Sequence, residues 1–261
     1  MSATKPAIVI VHGAYHRPAH FDGLAHLIRE QGYTVEVPAL PSVGAAKDPG
    51  DALSKDAEAV AHTIQRLAAA GKDIVVFMHS YGGMAGGEGV ATFCQEENAI
   101  MSPSGHRQGR VVGLVFLNAY VLHKGDSFMS EHTPEKDPKA STFPTSISDT
   151  GMVTFGDPRA WYYSSTSPEK ADAAAAMLEP MAVSAFTEPT RYGGVDWAQY
   201  AIPVRYIGCR RDETLPLHMQ EDFVARMEKA GVDVTSIWLD QDHSPFLDAP
   251  ERIAELIMDA A

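Results

Sequence analysis

The sequence has few cysteines and no long apolar run near its start. Cys94 and Cys209 are the two cysteines among 261 residues, and neither has a neighbour at the spacing of a metal site or a secreted disulfide framework. Both are expected to be small buried side chains. The first apolar run, Ala7 to Val11, is too short for the core of a signal peptide or for a membrane span. These features predict a cytoplasmic protein without a membrane partner.

Basic residues are also scarce. Lys and Arg number 21 against 34 Asp and Glu, so the formal net charge is −13 at pH 7. Such a charge repels phosphate backbones and anionic membrane surfaces, and binding to nucleic acid depends on clustered Lys and Arg. Nucleic acid is therefore not an expected partner. The length suits one large α/β domain or two small ones, with a sizeable core in either case.

Short apolar runs alternate with helical patterns along most of the chain. Apolar residues recur at alternating spacings of four and three at Leu53, Ala57, Val60, Ile64 and Leu67, which is typical of an amphipathic helix. Runs that are apolar throughout are typical of parallel strands covered on both faces. Six short runs are predicted as strands: Ala7–Val11, Thr34–Val37, Ile74–Met78, Val111–Leu117, Val204–Gly208 and Val234–Leu239. The alternation predicts an α/β fold, a mainly parallel sheet with helices on both faces, as one domain over residues 1–261.

One segment, about residues 119–200, interrupts the alternation. It is rich in Ser, Thr, Pro and Asp, yet it holds half of the aromatic residues in less than a third of the chain. A polar, irregular insertion with surplus aromatic residues is typical of a lid whose apolar underside covers a pocket. A small subdomain with its own core is the alternative. Within it, Ser167-Pro168 predicts a helix to about Glu179. Before it, the polar stretch Glu97–Arg110 is expected to be a surface loop.

The strand Ile74–Met78 leads into His79-Ser80-Tyr81-Gly82-Gly83 and then into a helix. A strand, a sharp turn and a helix with a serine at the apex form the layout of a nucleophile elbow. The usual first glycine of that motif is Met78 here, so its side chain must point into a gap. Ser80 is the predicted nucleophile.

A serine is a poor nucleophile alone and needs a base, and an acid group to orient that base. Asp212 and His243 follow the last two predicted strands, in the order nucleophile, acid, histidine. His243 is the predicted base and Asp212 the predicted acid, with the neighbouring Glu213 as its competitor. The other histidines on predicted helices or in loops are expected at the surface, including His26, His62, His106 and His132.

Attack on a carbonyl also requires donors for an oxyanion. The backbone N–H of Tyr81 lies at the start of the helix after the elbow, at the positive end of its dipole. The second donor is expected from the His12-Gly13-Ala14 turn after the first strand, as the N–H of Ala14, with Gly13 allowing the tight turn. This chemistry needs no metal and no organic cofactor.

Taken together, these stretches resemble an α/β-hydrolase of the small, single-domain esterase type. They are similar to the branch that contains plant methyl-ester hydrolases and plant hydroxynitrile lyases. The matching stretches are Val11-His12-Gly13-Ala14, His79-Ser80-Tyr81-Gly82-Gly83, the strand and loop that hold Asp212 and end at Pro216, His243-Ser244-Pro245-Phe246-Leu247 with Pro250, and Ala182 to Pro189 in the lid. The resemblance covers essentially the whole chain, apart from Glu97–Arg110 and much of Leu122–Thr154, which have no counterpart.

The departures from that branch are informative. The lyases carry Thr where Gly13 stands and Lys where Ser244 stands, so the resemblance favours a hydrolase over a lyase. The methyl-ester hydrolases usually carry Met where Ser244 stands, so their substrates are not carried over.

Three functions follow as hypotheses. The first is a serine hydrolase that cleaves a carboxylic ester or lactone of a small, partly apolar molecule through an acyl-enzyme on Ser80. The second uses the same triad for C–C hydrolysis or retro-aldol-type lysis of a polyketide-like compound. The third is a small-molecule receptor of hydrolase ancestry. A monomer and a homodimer are both compatible with the sequence.

Overall fold

The computed structural model describes residues 5–99 and 108–261. The strands in chain order are β1 (Ala7–Val11), β2 (Thr34–Glu36), β3 (Ile74–His79), β4 (Val111–Leu117), β5 (Thr145–Ile147), β6 (Met152–Phe155), β7 (Met181–Ala182), β8 (Val204–Cys209) and β9 (Val234–Leu239). The α-helices are α1 (Asp22–Glu30), α2 (Ala52–Ala69), α3 (Gly82–Ala99), α4 (Phe128–Glu131), α5 (Pro158–Trp161), α6 (Pro168–Ala175), α7 (Ser184–Thr187), α8 (Leu217–Lys229) and α9 (Pro250–Met258). The loop predicted over Glu97–Arg110 lies largely outside the described residues.

The central sheet has six strands in the order β2-β1-β3-β4-β8-β9, and each neighbouring pair is parallel. The predicted mainly parallel sheet is therefore confirmed. Because the strands are parallel, their carboxyl ends meet at one edge of the sheet, and the loops after β1, β3, β4, β8 and β9 converge there. This edge carries every predicted site residue.

Helices cover both faces of the sheet because its central strands, β1 and β3, are buried at every position. Along β1, Val9 and Val11 point into a core shared with α2, α3 and α8, whereas Ile8 and Ile10 point into a second core shared with α1 and α9. This period of two is that of a strand buried on both faces. Of the two cysteines, Cys209 is buried as expected and Cys94 is half-buried.

The insertion, residues 118–203, lies between β4 and β8. It holds a small antiparallel sheet in the order β5-β6-β7 together with α4 to α7. It is tied to the core at the start of α2, where the backbone N–H of Ala52 donates to Ser184 Oγ over 3.1 Å and that of Leu53 to the Glu188 carboxylate over 2.9 Å. These acceptors satisfy helix N–H groups that have no partner within the helix.

The helix that begins at Pro168 is shorter than predicted, because it ends at Ala175 rather than near Glu179. The backbone N–H of Glu179 instead donates to the Tyr15 carbonyl over 3.0 Å, and its carboxylate pairs with Arg17 at 3.1 Å. The chain after α6 is therefore drawn towards the loop that follows β1. No helix within the described ranges is long and apolar enough to cross a membrane.

Candidate active site

Ser80 stands at the turn between β3 and α3, with a φ angle of +54°. This left-handed conformation is strained for a residue with a side chain, and such strain is characteristic of functional turns. Backbone hydrogen bonds hold it: the Ser80 N–H donates to Leu117 over 3.2 Å, and its carbonyl accepts from Gly83 over 2.9 Å and from Tyr120 over 3.2 Å. The turn has the geometry predicted for a nucleophile elbow.

The turn after β1 packs directly against this elbow. A Cβ atom on Gly13 would lie 2.8 Å from His79 Nδ1 and 2.9 Å from Ser80 Cβ, and one on Gly82 would lie 2.4 Å from the Val11 carbonyl oxygen. A carbon atom cannot be placed at such short distances, and only the hydrogen atom of glycine fits there. Both positions therefore require glycine. A threonine at position 13, as in the lyases, does not fit this backbone. The close approach brings Ala14 and Ser80 to one cavity, which both residues line.

Met78 occupies the position where the elbow usually has glycine, and α3 provides the gap it needs. A Cβ atom on Gly86 would lie 2.6 Å from Met78 Cγ and 2.7 Å from Met78 Sδ. The thioether therefore fills the space that Gly86 leaves, and Met78 is fully buried. Because Gly86 lies one turn into α3 and has no side chain, the Met78 side chain does not crowd the elbow.

His243 and Asp212 meet at the carboxyl edge of the sheet, although 31 residues separate them. His243 Nδ1 lies 2.7 Å from Asp212 Oδ2, and both side chains are buried. Asp212 Oδ1 accepts from the backbone N–H groups of Thr214 and Leu215, each over 2.8 Å. An ionised carboxylate only accepts hydrogen bonds, so the proton of a neutral His243 lies on Nδ1 and leaves Nε2 as an acceptor.

Glu213, the alternative acid, is directed elsewhere. Its carboxylate is half exposed and pairs with Lys139 at 2.6 Å. Asp242, next to His243, is also engaged: it accepts from the backbone N–H of Ser244 over 3.1 Å and from that of Ser165 in the insertion over 2.8 Å. Asp212 is thus the carboxylate that contacts His243 Nδ1.

Two residues that the sequence analysis did not single out hold the backbone of His243. Its carbonyl accepts from His79 Nε2 over 2.9 Å and from Asn118 Nδ2 over 3.1 Å. Burial lowers the pKa of His79 well below its usual value, so the ring is neutral and Nε2 carries its proton towards the carbonyl. The one available signal was position, since His79 precedes Ser80 and Asn118 follows β4.

A third residue missed by sequence reasoning anchors Tyr81. The Tyr81 hydroxyl donates to Asp56 Oδ2 over 2.8 Å, and the same carboxylate accepts from the backbone N–H of Ser42 over 2.9 Å and from its hydroxyl over 2.6 Å. Burial raises the pKa of Asp56 to about 6, against the effect of these three donors. The anchor fixes the residue whose backbone N–H was predicted as an oxyanion donor.

Ser80, His243 and Ala14 line one cavity of about 330 Å³, together with residues of the insertion. Seven aromatic rings contribute to its remaining walls: Tyr15, Tyr120, Phe128, Phe143, Phe155, Tyr162 and Phe186. All but Tyr15 come from the insertion, so its surplus of aromatic residues faces this space in part. Other aromatic residues of the insertion pack elsewhere. Trp197, for example, lies against Gly87 of α3. The cavity suits an apolar ligand.

His132 contradicts the expectation of a surface position. It is buried, with Nδ1 2.7 Å from Asp137 Oδ2, and it lines the same cavity. His26 and His62 are exposed as expected, and His106 lies outside the described residues. Within residues 5–99 and 108–261, no three His, Cys, Asp or Glu side chains are grouped so that they could hold a metal ion.

Comparison with known proteins agrees with this geometry. A model of the alpha/beta hydrolase family matches residues 8–256. The alpha/beta hydrolase nvfD of Aspergillus novofumigatus is 27% identical, over 98% of this chain and 97% of that protein. Among solved structures, polyneuridine aldehyde esterase is 19% identical with a TM-score of 0.77, over 98% of this chain and 99% of that one. A methylesterase from Arabidopsis is 18% identical with a TM-score of 0.71, over 98% of both chains.

The two solved structures share the fold along nearly their whole length, which confirms the predicted fold. The family match spans almost the entire chain, from β1 into α9. The chain therefore belongs to the alpha/beta hydrolase family.

Proposed function

We propose that this protein is a serine hydrolase that cleaves a carboxylic ester or lactone of a small, partly apolar molecule. The observation that carries the proposal is the cavity shared by Ser80, on its left-handed turn, and His243, whose Nδ1 is bound by a buried carboxylate. This combination is what nucleophilic catalysis by serine requires.

The reaction begins when His243 Nε2 takes the proton of the Ser80 hydroxyl as its oxygen attacks the ester carbonyl carbon. Collapse of the tetrahedral intermediate breaks the bond to the alcohol, which leaves with the proton from His243, and an acyl-enzyme remains on Ser80. Water then attacks in the same way and releases the acid. Asp212 keeps the proton on Nδ1 throughout and stabilises the imidazolium that forms.

The backbone N–H groups of Ala14 and Tyr81 are the donors for the oxyanion in this proposal. Tyr81 directly precedes the first residue of α3, where backbone N–H groups lack partners within the helix. The contact of Gly13 with Ser80 supports a similar position for the neighbouring Ala14. Each donor of this kind commonly contributes about 10²- to 10³-fold to the rate.

The insertion acts as a lid in this proposal. Six aromatic side chains from it face the cavity, and Asp242 binds Ser165 of the insertion next to the base. An apolar cover excludes water and strengthens the electrostatic interactions at the reacting atoms. The cavity walls support a substrate with an apolar or aromatic portion. The esterase names of two structural relatives support an ester as the bond cleaved.

The test combines an active-site serine probe with a panel of esters and lactones of graded size. A fluorophosphonate should label Ser80 in the wild type, and Ser80→Ala should lose labelling and at least about 10³-fold of the hydrolytic rate. Ser146→Ala, which alters an exposed serine of β5, is the matched control and should retain both. Near-full hydrolysis by Ser80→Ala would refute the proposal.

The same experiment separates the two other hypotheses. Turnover of a β-hydroxyketone without an acyl-enzyme detectable by mass spectrometry would indicate C–C lysis. Tight binding of a small molecule without turnover of any panel member would indicate a receptor.

A further inference from the structure

A second hydrogen-bonded chain of residues, distinct from Ser80, His243 and Asp212, borders the same cavity. The Tyr120 hydroxyl lies 2.7 Å from His132 Nε2, and His132 Nδ1 lies 2.7 Å from Asp137 Oδ2. All three side chains are buried. We call these three residues the Tyr120 relay. Its geometry is that of a hydroxyl, an imidazole and a carboxylate in line, and the proposed ester cleavage does not use it.

The protonation of the Tyr120 relay fixes the direction of its hydrogen bonds. Burial lowers the pKa of His132, against the effect of Asp137, so the ring is neutral. Asp137 only accepts, which places the imidazole proton on Nδ1 and makes Nε2 an acceptor. Burial, with the charges of Asp212 and Asp137, raises the pKa of Tyr120 well above its usual value. Tyr120 therefore stays neutral, and its hydroxyl donates a hydrogen bond to His132 Nε2. The Tyr120 oxygen can then only accept further hydrogen bonds.

The Tyr120 relay is held in place from both ends. The backbone N–H of Tyr120 donates to the Ser80 carbonyl over 3.2 Å, so Tyr120 is anchored to the elbow itself. Beside His132, the buried carboxylate of Glu131 pairs with Arg226 of α8 and with Lys136, each at 3.2 Å. A group fixed in this way binds a ligand without an additional ordering cost.

The surroundings of the Tyr120 relay are apolar. Tyr120 and His132 both line the cavity, and the His132 ring lies 4.3 Å from the ring of Phe128 and 5.2 Å from that of Phe143, between centroids. The ring of Phe128 lies 5.0 Å from that of Phe186. A polar oxygen among such rings discriminates strongly between ligands, because an unpaired buried polar group is costly.

We propose that the Tyr120 relay is a specificity site for the substrate, at which the Tyr120 oxygen accepts a hydrogen bond from a hydroxyl or phenol group remote from the ester bond. The inference rests on the proposed ester hydrolysis and adds a substrate class, hydroxylated esters. Asp137 is the positioning residue that makes the site an acceptor, and His132 transmits its effect.

The experiment uses methyl esters of straight-chain acids of graded length that end in a hydroxyl, a methoxy or a methyl-ketone group. The wild type should prefer the hydroxyl ester at one or more lengths by about 10- to 100-fold in kcat/KM. Tyr120→Phe should remove that preference, because the hydroxyl ester should lose more kcat/KM than the methoxy ester does. Tyr163→Phe is the matched control: it removes a hydroxyl bound to a buried histidine, His16, at 3.0 Å, and Tyr163 does not line this cavity. The control should keep the preference.

Asp137→Asn distinguishes a positioning role of Asp137 from a purely structural one, because a purely structural role would not change which ester is preferred. An amide can donate to His132 Nδ1, which shifts the imidazole proton to Nε2, and Tyr120 must then turn its own proton towards the cavity. The preference for the hydroxyl ester should shrink or vanish, because the methoxy and ketone oxygens can then accept from Tyr120 as the hydroxyl oxygen can. Thermal melts check that each variant is folded.

The outcomes separate this inference from the proposed function. Equal kcat/KM for the three esters at every length, with activity lost in Ser80→Ala, overturns the specificity site and leaves the hydrolase. A Tyr120→Phe variant that slows all three esters equally also overturns it. If Ser80→Ala hydrolyses normally, the hydrolase proposal fails. The comparison of the three esters between the wild type and Tyr120→Phe then still tests the Tyr120 relay.

Discussion

The fit of Met78 against Gly86 predicts that Gly86→Ala destabilises the protein even though alanine is the better helix former. Gly86 lies inside α3, where replacing glycine with alanine normally stabilises a helix by about 1 kcal/mol. Here the new Cβ would lie 2.6 Å from Met78 Cγ and 2.7 Å from Met78 Sδ. Overpacking of this kind costs about 1–3 kcal/mol, so the net effect should be a loss of up to about 2 kcal/mol.

The sign of this effect depends on the residue at position 78. Met78→Ala alone should cost about 2–5 kcal/mol, because a fully buried thioether is removed. In the Met78→Ala background the two closest atoms are gone, and Val11 Cγ2 lies 3.4 Å from the new Cβ of Gly86→Ala, so the substitution should stabilise by up to about 1 kcal/mol. The two substitutions are therefore coupled by about 1–3 kcal/mol. In the wild-type background, displacement of Met78 should also disturb the elbow and lower kcat.

Urea unfolding of the two single variants and the double variant measures this coupling. Gly23→Ala is the matched control, because Gly23 lies in α1 and its added Cβ meets no atom within 4 Å. It should stabilise by up to about 1 kcal/mol whatever stands at position 78. If Gly86→Ala stabilises the wild type as much as Gly23→Ala does, Met78 does not occupy the space beside Gly86 and the reasoning is wrong.

Three further predictions concern the site and its supports. Asp212→Asn should lower kcat by roughly 10³- to 10⁴-fold, because an amide can hold His243 in the wrong tautomer. Glu213→Gln should change kcat little. Steady-state kinetics measures both variants. Asn118→Ala should lower kcat by about tenfold with KM nearly unchanged, since a donor to the His243 carbonyl is lost; an increase in KM alone would contradict this. The pKa of Asp56 rises from 3.8 to about 6 on folding, so its protonation stabilises the fold below pH 3.8 and this stability is lost as the pH rises to about 6. Urea unfolding across that range should show a decline of up to about 3 kcal/mol from this group, and Asp56→Asn should remove it.

The positions of Ser80, Asp212 and His243 could be predicted from sequence because each follows an apolar strand. In a parallel sheet the carboxyl ends of all strands share one edge, so the chain order of strands and polar residues is enough to bring the three together. The pattern could not choose between Asp212 and Glu213, which are adjacent. Backbone geometry decides that choice, because one side chain turns inward to His243 and the other outward to Lys139.

The insertion shows where such reasoning ends. Its composition predicted an apolar lining, and aromatic rings do line the cavity. Its segments are short and irregular, however, so no period indicates which side chains face inward. His132 was expected at the surface for this reason, and it is buried between Tyr120 and Asp137.

The sequence by itself determined the strands of the central sheet, the family, and the edge of the sheet at which chemistry is possible. These depend on local periodicity and on the chirality and direction of strand connections, which each segment carries within itself. The tertiary structure alone decided how Met78 is accommodated by Gly86, how Asp56 anchors Tyr81 and how the Tyr120 relay enters the cavity. Each of these depends on the packing of side chains from separate elements, and that packing is set by the fold as a whole rather than by any one segment.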